Sequence, residues 1–275
     1  MSYQQPYGQP PQQQQYAYAP PPGGHPQNQP QQHAQIAQSP PATTVAPTQS
    51  DSGSFNGGSY IITHRDTNAV LSVTLQQGAN VRSKSGAMIH MSGSVQLTGK
   101  VKFSMKKLFT GGDMSESTYV GPGRVALGPT LFGDIITLHI DGRQQWTIGK
   151  DSFLACTPDV LRETKSQGFG KAMFSGESLF VYNVLGQGIL WLTSFGAVDR
   201  IDLQPGEQHI VDNGHLVAWS CDYKIERAGG GTMTGLKTGE GLVCRFTGPG
   251  SVYVQTRNMD EFQSFIRANS AGGGS

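Results

Sequence analysis

The sequence predicts an all-β domain built from three tandem related units, preceded by a disordered tail and followed by one short helix. Two observations carry that prediction. From about Tyr60 onward, short β-branched and apolar runs alternate with turn formers, and 31 of the 37 glycines lie beyond residue 58. Turn signals spaced roughly 8–12 residues apart are the pattern of a barrel or sandwich. In addition, one block occurs three times: a small-residue turn, an acid, an apolar strand, a G-x-G turn and a second apolar strand. It reads T-G-G-D-M-S-E-S-T-Y-V-G-P-G-R-V-A-L from Thr110, S-G-E-S-L-F-V-Y-N-V-L-G-Q-G-I-L-W-L-T from Ser175, and T-G-E-G-L-V-C-R-F-T-G-P-G-S-V-Y-V-Q-T from Thr238. The first glycines of its G-x-G turns, Gly121, Gly186 and Gly248, stand 65 and 62 residues apart. That period marks a supersecondary unit used repeatedly.

Residues 1–58 hold 11 of the 16 prolines, long Gln runs and no Lys or Arg, the first being Arg65. Such a segment has too little apolar surface to offset its ordering entropy and is expected to be disordered. Tyr3, Tyr7, Tyr16, Tyr18 and the run Pro20–Pro22 would suit an aromatic-lined groove or weak self-association, while a solvated tether is the simpler reading. The remaining 217 residues suffice for a sizeable core. The domain is expected over 59–268, with units at about 59–130, 131–196 and 197–257.

Within the domain, Tyr60–His64 and Ala69–Leu75 read as strands joined by a turn at Asp66-Thr67-Asn68. L-Q-Q-G ends at Gly78 and L-Q-P-G at Gly206, each followed eight residues later by another glycine, Gly86 and Gly214. In the middle unit Gly149 and Thr157-Pro158 are assigned to those two places. Asp141-Gly142 and Asn213-Gly214 fit tight hairpin turns. The G-x-G turns are also read as hairpins, with glycine supplying left-handed φ. Trp191 and Trp219 are expected core anchors. A helix is predicted over Met259–Arg267, capped by Asn258, with Met259, Phe262, Phe265 and Ile266 on one face. One unit cannot bury both faces of its sheets, so the three are expected to share a core around a pseudo-threefold axis.

Composition narrows function. Charged residues make up 14% and net charge is +1, so no large field recruits nucleic acid, and no aromatic-plus-basic sheet motif is present. Cys156, Cys221 and Cys244 are odd in number and form no C-x-x-C, as expected of reduced, buried thiols in an intracellular protein. There is no 18-residue apolar run, secretory signal or Arg-rich presequence, which leads to a cytoplasmic expectation. His139, His209 and His215 lack ligand spacing, so no metal is expected. With no G-x-S-x-G and no P-loop, no catalytic residue, cofactor or enzymatic activity is expected. The repeated acid (Asp113, Glu177, Glu240) is read as structural at a strand start, accepting backbone N–H bonds or pairing with a nearby Lys.

Ahead of each acid lies a stretch mixing lysine with flexible apolar residues: V-K-F-S-M-K-K-L-F (Val101–Phe109), G-F-G-K-A-M-F (Gly168–Phe174) and G-G-G-T-M-T-G-L-K (Gly229–Lys237). Lys106, Lys107, Lys171 and Lys237, beside Phe109, Met173 and Leu236, would suit an anionic membrane surface or a protein partner. The rival reading is that these apolar residues close a barrel end or a homo-oligomer interface.

With S-G-E, G-x-G, the L-x-P-G front half and the terminal G-P-G-S-V-Y-V-Q-T-R (Gly248–Arg257), residues 59–268 resemble the altered-inheritance-of-mitochondria protein 24 family. The resemblance implies a fold similar to the tryptophan RNA-binding attenuator protein, a short double-stranded β-helix. It also implies a non-enzymatic scaffold or adaptor linked to mitochondrial inner-membrane organisation, which makes the mitochondrion the alternative location. The competing class is a binding module for a small ligand or nucleic acid.

Overall fold

The computed structural model describes residues 43–45, 51–100, 116–166, 180–227 and 242–270. They belong to one compact unit spanning Ser39–Ser275. The architecture is all-β, with one α-helix near the C-terminus among the described residues.

The chain enters through β1 (Thr43–Val45), β2 (Ser52–Phe55) and β3 (Gly58–Thr63), then runs through three stretches of six strands. The first comprises β4 (Val70–Leu75), β5 (Asn80–Lys84), β6 (Met88–Met91), β7 (Gln96–Lys100), β8 (Glu116–Val120) and β9 (Gly123–Leu127). The second comprises β10 (Ile135–Ile140), β11 (Trp146–Gly149), β12 (Phe153–Cys156), β13 (Val160–Ser166), β14 (Phe180–Gly186) and β15 (Gly188–Thr193). The third comprises β16 (Val198–Leu203), β17 (Gln208–Asp212), β18 (Leu216–Trp219), β19 (Asp222–Arg227), β20 (Leu242–Thr247) and β21 (Gly250–Gln255), after which comes α1 (Met259–Ser270).

In every stretch the sixth strand lies between the first and the third, as in β4-β9-β6, β10-β15-β12 and β16-β21-β18. The fifth likewise lies between the second and the fourth, as in β5-β8-β7, β11-β14-β13 and β17-β20-β19. All these pairs are antiparallel. Two further pairings interlock neighbouring stretches. β5 pairs with β12 (Ser83 opposite Ala155), and β11 pairs with β18 (Ile148 opposite Ala218).

Strands buried on both faces read as continuous apolar runs, and those with one wet face alternate. F-L-A-C of β12 and L-V-A-W of β18 are buried throughout, whereas β4 alternates. Trp191 and Trp219, both fully buried, anchor separate clusters as expected. Trp191 takes edge contacts from Tyr60 at 5.2 Å and Phe55 at 6.0 Å, and Trp219 takes them from Tyr223 and Phe246. Burying a large apolar side chain stabilises by about 1.5–3 kcal/mol, so these clusters dominate the fold.

Several local expectations are corrected. Asp141-Gly142 is not a hairpin turn, because β10 and β11 on either side of it lie in different sheets. The Asp141 carboxylate instead accepts the Arg143 N–H at 2.9 Å, which steers the chain out of one sheet and into another. Gly142, with φ 76°, follows the first strand of its stretch as Gly78 and Gly206 (both 78°) follow theirs, so it and not Gly149 holds that place. Asn213-Gly214 forms a 3-10 turn between β17 and β18, which again do not pair with each other.

The N-terminal boundary also moves. β2 lies within residues 1–58 and pairs with β3 across Asn56-Gly57, and β1 pairs with β16. Asn-Gly is a hairpin signal, but it is masked here by the surrounding Ser/Gly composition. Finally, α1 runs to Ser270, and Asn258 Oδ1 caps it by accepting the Asp260 N–H at 2.9 Å. Phe262 docks between Phe132 and Phe195, while Phe265 and Ile266 stay 64% and 46% exposed, so only part of the predicted face is covered.

Candidate functional site

Glycine geometry places the three G-x-G turns. They are not hairpins. Gly121-Pro122-Gly123, Gly186-Gln187-Gly188 and Gly248-Pro249-Gly250 each carry the chain from the fifth strand of one sheet to the sixth strand of another. A Cβ on Gly121 would lie 2.3 Å from Gln76 O, on Gly186 1.9 Å from Asp159 O, and on Gly248 2.2 Å from Gln204 O. At Gly121 and Gly248 the requirement is therefore close backbone approach and not left-handed φ. At the second positions, Gly123, Gly188 and Gly250 have φ of 139°, 139° and 147°. In the first and third stretches the corner is tied by the same pair of bonds. Gly78 and Gly206 N–H donate to Gly121 and Gly248 O, while the Gly121 and Gly248 N–H groups donate to Ala79 and Glu207 O. These repeated glycines build the fold.

A cleft of about 450 Å³ opens beside α1. Three reverse turns contribute to it, closed by Ala87 N–H to Lys84 O, Ser152 N–H to Gly149 O, and Leu216 N–H to Asn213 O. Lys84 and Lys150 bring two ammonium groups, and Asp151 and Asp260 bring carboxylates. Lys150 Nζ is 3.8 Å from Asp151 Oδ2, and both side chains are exposed. Several of the neutral polar groups already serve the backbone. Gln255 accepts the Phe195 N–H at 2.8 Å and donates to Gly214 O at 3.1 Å, Ser194 donates to Gly196 O, and Asn258 caps α1. Asn213 Oδ1 is buried without a hydrogen-bond partner. Among the described residues no group of three His, Cys, Asp or Glu could hold a metal ion.

The sequence singled out seven contact residues, Lys106, Lys107, Phe109, Lys171, Met173, Leu236 and Lys237, and three acids, Asp113, Glu177 and Glu240. All ten lie outside the described residues. The strands that flank them are described. Residues 101–115 follow β7 and precede its partner β8, with Lys100 opposite Glu116. Residues 167–179 stand between the paired β13 and β14, with Ser166 opposite Phe180. Residues 228–241 stand between the paired β19 and β20, with Arg227 opposite Leu242.

Sequence reasoning missed one charged cluster. The Glu116 carboxylate sits between Arg82, at 3.1 Å, and Arg162, joining β5, β8 and β13. The Arg162 guanidinium lies 3.3 Å from the Phe153 ring centroid, and its side chain is only 8% exposed. No local pattern announces a cluster assembled from strands so far apart in the chain. The three thiols are free and buried. Burial pushes Cys156 and Cys221 up to about 11 and Cys244 up to about 12, so all remain protonated and unreactive at neutral pH.

Residues 60–257 match the family model described as mitochondrial biogenesis AIM24. An uncharacterized protein of Streptococcus pyogenes serotype M6, M6_Spy0233, is 30% identical over 214 residues, covering 72% of this chain and 85% of that protein. The crystal structure of the Streptococcus pyogenes protein SPYM3_0169 superimposes with a TM-score of 0.64 at 27% identity, over 76% of this chain and 98% of that one.

Proposed function

Starting from the chain's membership of the mitochondrial biogenesis AIM24 family, we propose that it is a non-catalytic scaffold whose lysine-bearing segments contact an anionic membrane surface. The observation that carries this reading is topological. Residues 101–115, 167–179 and 228–241 each stand between the fourth and fifth strands of their stretch, which pair with each other. Each segment mixes lysine with Met, Phe or Leu, the composition of a surface that meets both headgroups and acyl chains. The engagement of two of the cleft's amides, Gln255 and Asn258, with the backbone favours a scaffold over a substrate site. The family's description favours a mitochondrial membrane as the target.

Each lysine near an anionic surface contributes about 1 kcal/mol, so binding should be salt-sensitive and additive. Co-sedimentation of the full chain with vesicles containing anionic phospholipid tests this. Replacing Lys106, Lys107, Lys171 and Lys237 together by Ala is expected to weaken binding by roughly a thousandfold, since four such contributions sum to about 4 kcal/mol. Unchanged binding in that variant, or no binding by the unsubstituted chain, ends the proposal.

A further inference from the structure

Among the described residues the interlocking of neighbouring stretches occurs at two seams, and the strands for a third do not pair with each other. At the first seam the second strand of one stretch, β5, pairs with the third strand of the next, β12; at the second seam β11 pairs with β18 in the same way. The strands that remain are β17, a second strand, and β6, a third strand. Among the described residues β17 pairs only with β20, and β6 only with β9.

Burial follows pairing. β12 and β18 are buried at every residue, whereas Met88, Ile89 and His90 of β6 are exposed. The contrast is sharpest at a bulge common to all three strands. The register shifts between Phe153 and Ala155, between Leu216 and Ala218, and between Met88 and His90. Leu154 and Val217 at the first two bulges are 1% and 0% exposed, but Ile89 at the third is 56% exposed. On β17, the second strand left over, Ile210 is 48% exposed. Two unpaired edges with apolar side chains are templates for further strand pairing, a hazard that folded proteins normally cover.

We propose that β6 and β17 pair with β17 and β6 of a second copy, forming a reciprocal dimer that completes the third seam twice. The chain's own seams identify the occupant, because a third strand is covered by a second strand at both closed seams. One chain offers one edge of each kind, and two chains related by a twofold axis satisfy all four edges. His90 stands where Ala155 and Ala218 stand in the closed seams. A separate copy has more freedom to accommodate that larger ring than two strands joined by one backbone.

Light scattering of the full chain across a range of concentrations, with backbone hydrogen exchange at β6 and β17, tests the inference. A dimer with both edges protected is expected. Ile89→Glu and Ile210→Lys, each alone, should weaken it at least about tenfold. An equimolar mixture of the two variants should restore a heterodimer, since one of its seams is native and the other carries Glu and Lys two residues apart along the register, Ile210 falling opposite Met91 as Arg82 falls opposite Cys156; that recovery also shows that both variants fold. A monomer, whether its edges are protected by closure within the chain or remain unprotected, overturns the proposal. So does a dimer indifferent to both substitutions, or one that forms only after deletion of residues 1–50, which would make the tail the occupant.

Discussion

Glycine acts in two distinct ways here, and they predict different costs. At Gly206, φ is 78° and a Cβ would meet nothing within 4 Å, so only backbone conformation is at stake. Gly206→Ala should cost about 1–2 kcal/mol, the penalty of the left-handed region. At Gly248 a Cβ would lie 2.2 Å from Gln204 O and 2.8 Å from Leu203 Cβ, so one strand must move away from another. Gly248→Ala should therefore cost more, about 3 kcal/mol, as overpacking does. Urea unfolding midpoints compare the two, and an equal effect would refute the assignment of Gly248 to close approach.

Strand β2 shows how an element can belong to the fold while its composition belongs to the tail. Its partner β3 is a core strand, and Phe55 at its end packs on Trp191. Asp51, just before it, binds Arg65, which also reaches Asp134 at 2.8 Å. Deleting residues 1–50 removes, among the described residues, the three paired residues of β1 and should shift the unfolding midpoint little. Deleting residues 1–58 also removes β2 and the partly buried Phe55 and should cost about 2 kcal/mol, within the range for burying an aromatic side chain. Equal midpoints for the two truncations would show that β2 contributes nothing to stability.

For the whole molecule, the buried thiols couple stability to alkaline pH. Burial raises Cys156, Cys221 and Cys244 from 9.0 to about 11, 11 and 12. Above pH 9 the unfolded chain releases these protons while the folded chain keeps them, so the unfolded state gains. The thiols' contribution is thus fully present below pH 9 and is lost as pH rises toward 11–12. Denaturation midpoints measured across that window should fall more steeply for the native chain than for a Cys156→Ala, Cys221→Ala, Cys244→Ala variant. Parallel slopes would show that the thiols do not govern the loss.

The sequence alone determined the fold class, the anchoring tryptophans, the capped helix and the places where the chain must turn. These depend on φ preference, side-chain size and hydrogen-bonding groups within a few residues of each other. It could not say what each turn joins. Asp141-Gly142, Asn213-Gly214 and all three G-x-G turns look like hairpins locally, yet each passes the chain between sheets, because strand partners come from distant parts of the sequence. The Arg82–Glu116–Arg162 cluster was hidden for the same reason. So was the open edge of β6. Three of the four residues of M-I-H-M are apolar, so it differs from F-L-A-C of β12 mainly by His90, and the pairing of the folded chain leaves one exposed while the other is buried.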